Sequence, residues 1–560
     1  MKTLTRILIF VTLLFVTLQG ALAIVTPPSN MNGYGTYTIS NYASIGTVNS
    51  TINNTGIFYG TNKALARTKS QVVCRGDNAT DDIYKAYTCD YICPSTTSDC
   101  SKVLQNAINS KNHIYLTDAQ NNYTYNTTLN LSDNEVLECE SWNTKLVYVG
   151  FNGSAIQNSN RTNGNSNIQV KNCFIDARGD LKADINFDYG IRFDGVTNFV
   201  LQNNYLQNSK SDLLNIKQST ASNGTSSGSV LNNYFSNSTR EGLQFEFGSN
   251  IIISGNHLFN IYNRGINVEN FVENGAMNNI IIANNEMHNT GGGVVINNVN
   301  GVKSMSGIVI AGNVIRDSFN TCPGVYCNDV TGIQVLHIGT TDNISNVLIS
   351  GNTIINISAN QSKNSDGIMV RSLSARNIEV VNNMIYNTGR YGIYASSEGL
   401  YAQNTIDTTG SNGINADGTR IKLSGNEVKN TNGTGIYLSS CKYCVVEQNR
   451  VYNTNPVANS QAIIETSNGG NVTIQGNYVY GSNVTWGIRV LDALSTVKNN
   501  VVYDAVTKYS ISEANVIVDD YKYATLPTCN SSILVVDQST LFNGSLCRCT
   551  SSAWKCATLS

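Results

Sequence analysis

Charge is scarce in this chain. Asp, Glu, Lys and Arg make up only 13% of its 560 residues and leave a net charge of −2. A nucleic-acid partner needs a basic stripe, so that class is disfavoured, and so is electrostatic attachment to a membrane. Beyond one apolar run at the N-terminus, no stretch approaches the length of a membrane span. Helical patterning is nearly missing as well. Only Asp99–Lys111 gathers Val103, Leu104, Ala107 and Ile108 on one face, with Ser98 as its N-cap. What the chain does have is 41% hydrophobic residues delivered in short bursts, enough for a long core.

The bursts repeat. Asn250-Ile-Ile-Ile-Ser-Gly-Asn256-His-Leu, followed by Gly265-Ile-Asn-Val, reads as two strands around a polar corner and then a third strand. Its central asparagine returns as Asn204, Asn233, Asn256, Asn285, Asn313, Asn352, Asn383, Asn404, Asn426, Asn449, Asn477 and Asn500. A step of mostly about 22–29 residues marks stacked supersecondary units. It is too short for a strand, a helix and loops, but fits three short strands and three turns. Parallel strands joined in this way coil right-handed. The fold expected is therefore all-β, a right-handed parallel β-helix. At an inward corner each Asn amide can bond the Asn one coil away, about 4.8 Å distant, and so remain satisfied while buried. Asn352→Leu is expected to cost about 1–3 kcal/mol, and Asn364→Leu almost nothing.

The ends differ from the middle. Residues 1–23 have Lys2 and Arg6, an apolar run from Ile7 to Leu18, and Ala21-Leu22-Ala23, the pattern of a secretory signal peptide. Fourteen cysteines and about eighteen Asn-x-Ser/Thr sequons, among them Asn126, Asn237, Asn356 and Asn471, fit an extracellular glycoprotein. Residues 24–73 form a polar leader. Residues 74–150 form an N-terminal cap with the first strands, in which Cys74, Cys89, Cys93 and Cys100 make two local disulfides and the amphipathic helix covers the open end. The β-helix occupies 151–518. Residues 519–560, with Cys529, Cys547, Cys549, Cys556 and Trp554, form a small disulfide-stapled module.

Gly76-Asp-Asn-Ala-Thr-Asp-Asp82, Ala107-Ile108, Ile114-Tyr-Leu, Tyr123-Thr-Tyr and Val136-Leu-Glu-Cys resemble the opening of the pectate-lyase-like β-helix superfamily. That superfamily includes polygalacturonases, pectate and alginate lyases, mannuronan epimerases and tailspikes, and the resemblance covers roughly residues 74–510. It implies the β-helix fold and polysaccharide as the class of partner. Its local catalytic signatures, Asn-Thr-Asp, Gly-His-Gly and Asp-Pro-His-Asp, are missing. Arg420-Ile-Lys422 resembles one polygalacturonase motif but has no companions, so no catalytic residue is carried over.

Candidates for chemistry come from the alternation of the third strand. It turns Arg192 and Asp194, Asn215 and Lys217, Gln244 and Glu246, and Asn267 and Glu269 outward on successive coils. Asp194, Lys217, Glu246 and Glu269 form one column and are the catalytic candidates. Arg192, Asn215, Gln244 and Asn267 form the adjoining column and are the substrate-binding candidates. Later positions, Met369, Tyr394, Ser396 and Ser439, are uncharged. Extra residues at Gln218–Ser229, Asn270–Met277, Asp317–Asn328 and His337–Asn343 border the same region, as walls of a groove do. Carboxylates about 5 Å apart can act as acid and nucleophile of a retaining glycosidase, or hold Ca²⁺ against a uronate. Lys217 or Arg192 would then serve as base or clamp. The alternative is a solvated charge ladder in which Lys217 neutralises Asp194 and Glu246. With no opposite charge between Glu246 and Glu269, the two should repel, and neutralising either should leave the melting temperature unchanged or raise it. His257 and His288 read as surface residues. The expected function is binding of a polysaccharide or cell-surface glycan, with lyase, hydrolase or epimerase activity left open. The other reading is a non-catalytic adhesive or fibre protein that assembles with itself.

Overall fold

In the computed structural model the described residues are 70–77, 89–511, 517–519, 534–536, 545–550 and 553–558. Short stretches within 89–511 are excepted, at 152, 182–187, 220–225, 271–275, 299–303, 320–329, 338–343, 359–364, 373–374, 453–461, 482–483 and 492–493. The signal peptide, nearly all of the polar leader, Cys322 and Cys327 lie outside them, as do most of the bordering insertions and the side chains after Ser510. Ser226–Leu231, at the end of the first insertion, is a strand.

Each coil contributes one strand to each of three sheets. The first sheet has 21 strands among the described residues and the second and third have 15 each. Pairing is parallel throughout, except in the C-terminal strands Leu534–Val536, Ser545–Thr550 and Ala553–Thr558, where it turns antiparallel. The chain is a right-handed parallel β-helix. Ile, Val and Leu at alternate strand positions point inward and stack coil upon coil, as Ile253, Ile282, Ile310, Ile349 and Val380 do in the first sheet. Leu534–Val536 pairs parallel with Ile517–Asp519, so the first sheet continues past the end of the repeats.

The asparagine ladder is present. Asn352 Nδ2 donates to Asn383 Oδ1 and to Ile310 O, each at 2.9 Å. Asn352 Oδ1 accepts the backbone N–H and the amide N–H of Asn313, both at 2.9 Å. The residue before each ladder Asn takes positive φ, as at Asn203 (55°), Asn232 (54°) and Asn284 (56°), which turns the corner; Asn tolerates that region better than other side chains. A second, outer row of left-handed asparagines was not foreseen. Asn237 donates to Asn208 and Asn260 donates to Asn237, each at 3.2 Å. Of the four sequon asparagines named above, Asn126, Asn237 and Asn471 are exposed and Asn356 is half-buried.

The N-terminal helix starts later than expected, at Ser101, and runs to Ser110. Its N-cap is Cys100 rather than Ser98, because the Cys93–Cys100 disulfide fixes the chain there. Asp99 Oδ1 accepts the Ser101 N–H at 2.9 Å, which satisfies the first free N–H of the helix in place of a side-chain cap. Leu104, Ala107 and Ile108 are buried and Val103 is only partly so. The four N-terminal cysteines form two local disulfides, as expected, with the pairing Cys74–Cys89 and Cys93–Cys100; Cys139–Cys173 and Cys441–Cys444 also form.

One feature of the corner leading into the third sheet escaped the sequence reading. Gly242, Gly265, Gly293, Gly332, Gly367, Gly392 and Gly413 succeed one another there, coil by coil. A Cβ on Gly332 would lie 2.6 Å from Gly367 O and 2.5 Å from Ile354 Cγ2, so on this coil a side chain at the corner would clash with the next coil and the core.

Candidate functional site

The third sheet carries the candidate residues, and register sets them side by side. Arg192, Asn215, Gln244 and Asn267 occupy one row across four strands. Asp194 pairs in register with Lys217, and Glu269 with Asn297. Glu246 follows the strand Leu243–Phe245, its N–H bonded to Ile216 O at 2.8 Å. The intervening Phe193, Ile216, Phe245 and Val268 belong to the core, so these polar side chains stand on the opposite, outer face.

Outward does not mean solvated here. Asp194, Asn215 and Gln244 are fully buried and Asn267 and Glu269 nearly so, while Lys217 and Glu246 keep 23% and 21% of their side chains exposed. The picture of a solvated ladder in which Lys217 neutralises both Asp194 and Glu246 is therefore corrected. Lys217 Nζ pairs with Glu246 Oε1 at 2.7 Å. Asp194 is gripped from elsewhere, by Arg161 Nε at 2.7 Å and Arg192 Nε at 2.9 Å. The ring of Tyr189 lies 5.4 Å from the Arg192 guanidinium and 5.7 Å from Lys217 Nζ, a shared cation–π support.

The expected gap between Glu246 and Glu269 is also filled. Arg264 Nη1 donates to Glu269 Oε1 at 2.9 Å and to Asn267 Oδ1 at 3.0 Å. Gln244 Nε2 donates to Glu269 Oε2 at 3.1 Å and Asn267 Nδ2 donates to Gln244 Oε1 at 2.7 Å. Two cations thus stand where a calcium ion was weighed. Among the described residues no group of His, Cys, Asp or Glu has the arrangement of a metal site.

Two buried acids that the sequence reading missed complete the cluster. Asp212 and Glu241 sit in the corner just before the glycine column, where the alternation of strands gives no guide. Asn215 Nδ2 bridges Asp212 Oδ2 at 2.8 Å and Glu246 Oε1 at 3.4 Å. The Glu241 N–H donates to Asp212 Oδ1 at 3.2 Å, and Asn263 Nδ2 donates to both Glu241 oxygens at 2.9 and 3.0 Å. Arg240 lies 3.4 Å from Asp212. Burial, reinforced by the Asp212 charge and opposed by Arg264 and Arg240, pushes Glu241 up to about 8, and burial raises Asp212 as well. The recurring signal was an acid, an arginine or a tyrosine directly before a repeat glycine or its equivalent: Asp212-Leu213, Glu241-Gly242, Arg264-Gly265, Asp366-Gly367 and Tyr391-Gly392.

A pH dependence follows from Glu241. Its folded value lies above its ordinary value of 4.5, so between pH 4.5 and 8 the folded state keeps a proton that the unfolded state releases. Its share of stability is intact below pH 4.5 and is lost progressively as pH rises toward 8. Glu241→Gln mimics the protonated acid at every pH. The melting temperature of the variant should gain on that of the native chain from pH 5 to 8, and parallel melting curves across this range would refute the assignment.

The other sequence candidates are placed as follows. His257 is exposed and 3.1 Å from Glu286, and His288 is 3.2 Å from Asp317, both on the outer face of the second sheet. Arg420 pairs with Glu398 and Lys422 with Glu447, alongside a strand of the first sheet and away from the cluster.

Residues 412–552 match the family described as "Right handed beta helix region". No curated protein matches the sequence at a significant level. Among solved structures the chain is similar to PfbA, a surface adhesin of Streptococcus pneumoniae, at 13% identity, covering 82% of this chain and 96% of that one with a TM-score of 0.38. It is similar to the A-module of the Azotobacter vinelandii mannuronan C-5 epimerase AlgE4, at 14% identity over 74% and 94% of the two chains, TM-score 0.25. It is also similar to a mutant tailspike protein of the E. coli bacteriophage HK620 in complex with a pentasaccharide, at 11% identity over 75% and 76%, TM-score 0.44.

Proposed function

We propose that this protein binds a polysaccharide along the outer face of its third sheet, around Asp194–Glu269. One observation carries the reading. Asn215 Oδ1, Asn297 Oδ1 and Gln334 Oε1, all on that face, are buried and have no hydrogen-bond donor among the described residues. An orphaned buried acceptor costs about 1–3 kcal/mol, and three on one face favour a partner that brings donors to it. Sugar hydroxyls are donors of that kind. Within the cluster, Lys217 and Glu246 are the accessible pair and the proposed contacts, the places for acid–base work if the bound glycan is cleaved or epimerised. Asp194, Arg192, Asn215, Gln244, Asn267 and Glu269 hold them in place. The connections 320–332 and 338–343 flank the strand Ile333–His337 of this sheet, as the walls of a groove would. Disulfides and exposed sequons support an extracellular, glycosylated protein.

A second reading, a non-catalytic adhesive or fibre-forming surface protein, is favoured by a different observation. Each carboxylate of the row already holds a cation, which leaves no carboxylate of the row unpaired to act as general base.

The test is a glycan array followed by a depolymerisation assay on acidic and neutral polysaccharides. The native chain, Glu246→Gln and Lys217→Ala are compared. Both variants should bind the selected glycan at least tenfold more weakly while changing stability by no more than about 1 kcal/mol, the scale of a solvent-accessible ion pair. Unaltered binding in both would overturn the reading, and turnover by the native chain alone would decide between enzyme and adhesin.

A further inference from the structure

The first sheet has a second apolar face, turned to the outside. Ile251-Ile-Ile253, Ile280-Ile-Ile282, Ile308-Val-Ile310 and Val347-Leu-Ile349 are unbroken apolar runs on four successive coils. Such a run is the pattern of a parallel strand covered on both faces, whereas one wet face gives alternation. The first and third residues of each run are buried in the core. The middle ones, Ile252, Ile281, Val309 and Leu348, stand outside in one column, which Leu400 rejoins two coils later. Ile252 is 43% exposed and the others partly so. Leu231, Ala283, Ala311 and Val381 stand in the adjoining column, also partly exposed.

Charge is missing from the same area. The five strands from Ser226–Leu231 to Ile344–Ser350 hold no Asp, Glu, Lys or Arg, and Arg376–Val381 adds only Arg376 and Glu379. Outward charges return on either side, with Lys171 before the strip and Lys422, Glu447 and Lys498 after it. None of these strands contains a sequon asparagine. The closest, Asn223 and Asn343, precede them, whereas strands of the second sheet carry Asn237 and Asn356. Exposed asparagines border the strip on both sides. On one, Asn279 donates to Asn250 and Asn377 to Asn346, each at 3.0 Å. On the other stand Asn232, Asn284 and Asn382. An apolar centre inside a polar rim is the anatomy of a protein–protein contact.

We propose that this face, centred on Val309, is the contact through which two copies of the chain dock about a two-fold axis. Seven strands from Ser226–Leu231 to Gly399–Ala402 make the strip about 29 Å long and about 20 Å wide, or about 600 Å². Two such faces bury about 1,200 Å² together, the lower end of the range for a specific interface. A charged partner finds almost nothing here to pair with, while a second copy presents the same flat, uncharged surface. A contact of a face with itself closes after two copies and leaves the third sheet of each solenoid free for glycan.

Sedimentation equilibrium of the full-length chain tests the dimer. The native chain should be dimeric at micromolar concentration, and Val309→Lys and Leu348→Lys should each weaken dimerisation at least tenfold. Thr496→Lys places the same charge in the same column beyond the strip and should leave the dimer intact. A second measurement needs no variant. A photo-activated carbene should spare Ile252 and Leu348 at high protein concentration and label them on dilution, while Val506, 81% exposed, is labelled throughout. A native chain that is monomeric at every concentration would overturn the proposal. So would a dimer that survives both lysines, or one in which Ile252 and Leu348 are labelled as freely as in the monomer. Binding of the native chain to phosphatidylcholine vesicles through these residues, or its growth into open filaments, would also overturn it, by assigning the face to lipid or to a contact that does not close.

Discussion

Asn352→Leu should destabilise the fold by about 3–5 kcal/mol, more than the 1–3 kcal/mol expected from the sequence. One amide serves three partners in the ladder. Leucine strands the backbone N–H and the amide N–H of Asn313, which both donate to Asn352 Oδ1, and deprives Ile310 O of its bond to the amide. Each stranded buried group costs about 1–3 kcal/mol, and leucine's apolar burial returns part of the loss. Asn383 Oδ1 keeps the Asn352 backbone N–H at 3.0 Å, so the damage runs mainly toward the N-terminal neighbour. Asn364, the control chosen from sequence, lies outside the described residues. Asn143, exposed and without a side-chain bond in the ladder, replaces it, and Asn143→Leu should move stability by less than about 0.5 kcal/mol. Denaturant unfolding of the two variants checks the claim. Equal midpoints would mean that the buried row contributes nothing special.

The ladder was legible because it is periodic. An inward asparagine recurs on every coil between apolar neighbours, and no tertiary information is needed to see it. The two outer rows of the third sheet were legible for the same reason, since alternation along a strand fixes which of Arg192 and Phe193 faces out. What alternation cannot give is depth. Asp194 and Gln244 face outward, yet both are fully buried. Nor does it give partners that come from corners. Arg161 reaches Asp194 across 33 residues of sequence, and Arg264 reaches Glu269 from the turn that begins the same strand. Arg161 carries no repeat signal of its own, and Arg264 carries only its place before a repeat glycine. Glu241 and Asp212 meet only because successive coils place their corners one above the other. The partners within the cluster are thus set by inter-coil registry at the corners, while the rows that carry it follow from the strands.

Glu269→Gln should lose about 3–5 kcal/mol, where the sequence reading expected an unchanged or higher melting temperature. That reading assumed two carboxylates in repulsion; Arg264 reverses the sign. Arg264 and Glu269 each keep only 10% of their side chains exposed, so the pair is buried, and removing one partner of a buried pair leaves a charge without compensation. Hydrogen bonding adds to the loss. Among the described residues every group hydrogen-bonded to the Glu269 carboxylate is a donor: Arg264 at 2.9 Å, Gln244 at 3.1 Å and Asn297 at 3.3 Å. An amide must turn its own NH₂ toward one of them, whichever way it is flipped. Glu246→Gln, which breaks the more exposed Lys217 pair, should cost no more than about 1 kcal/mol. The contrast explains why glycan binding is tested at Glu246 and Lys217, since a loss at Glu269 would mix binding with folding. The double replacement Arg264→Met with Glu269→Leu removes both charges together and should recover most of the loss, because well-packed apolar side chains replace a buried pair at little cost. Chemical denaturation of the single and double variants measures the cycle. Glu269→Gln melting with the native chain, or a double variant no better than the single, would show that Arg264 and Glu269 are not a buried pair.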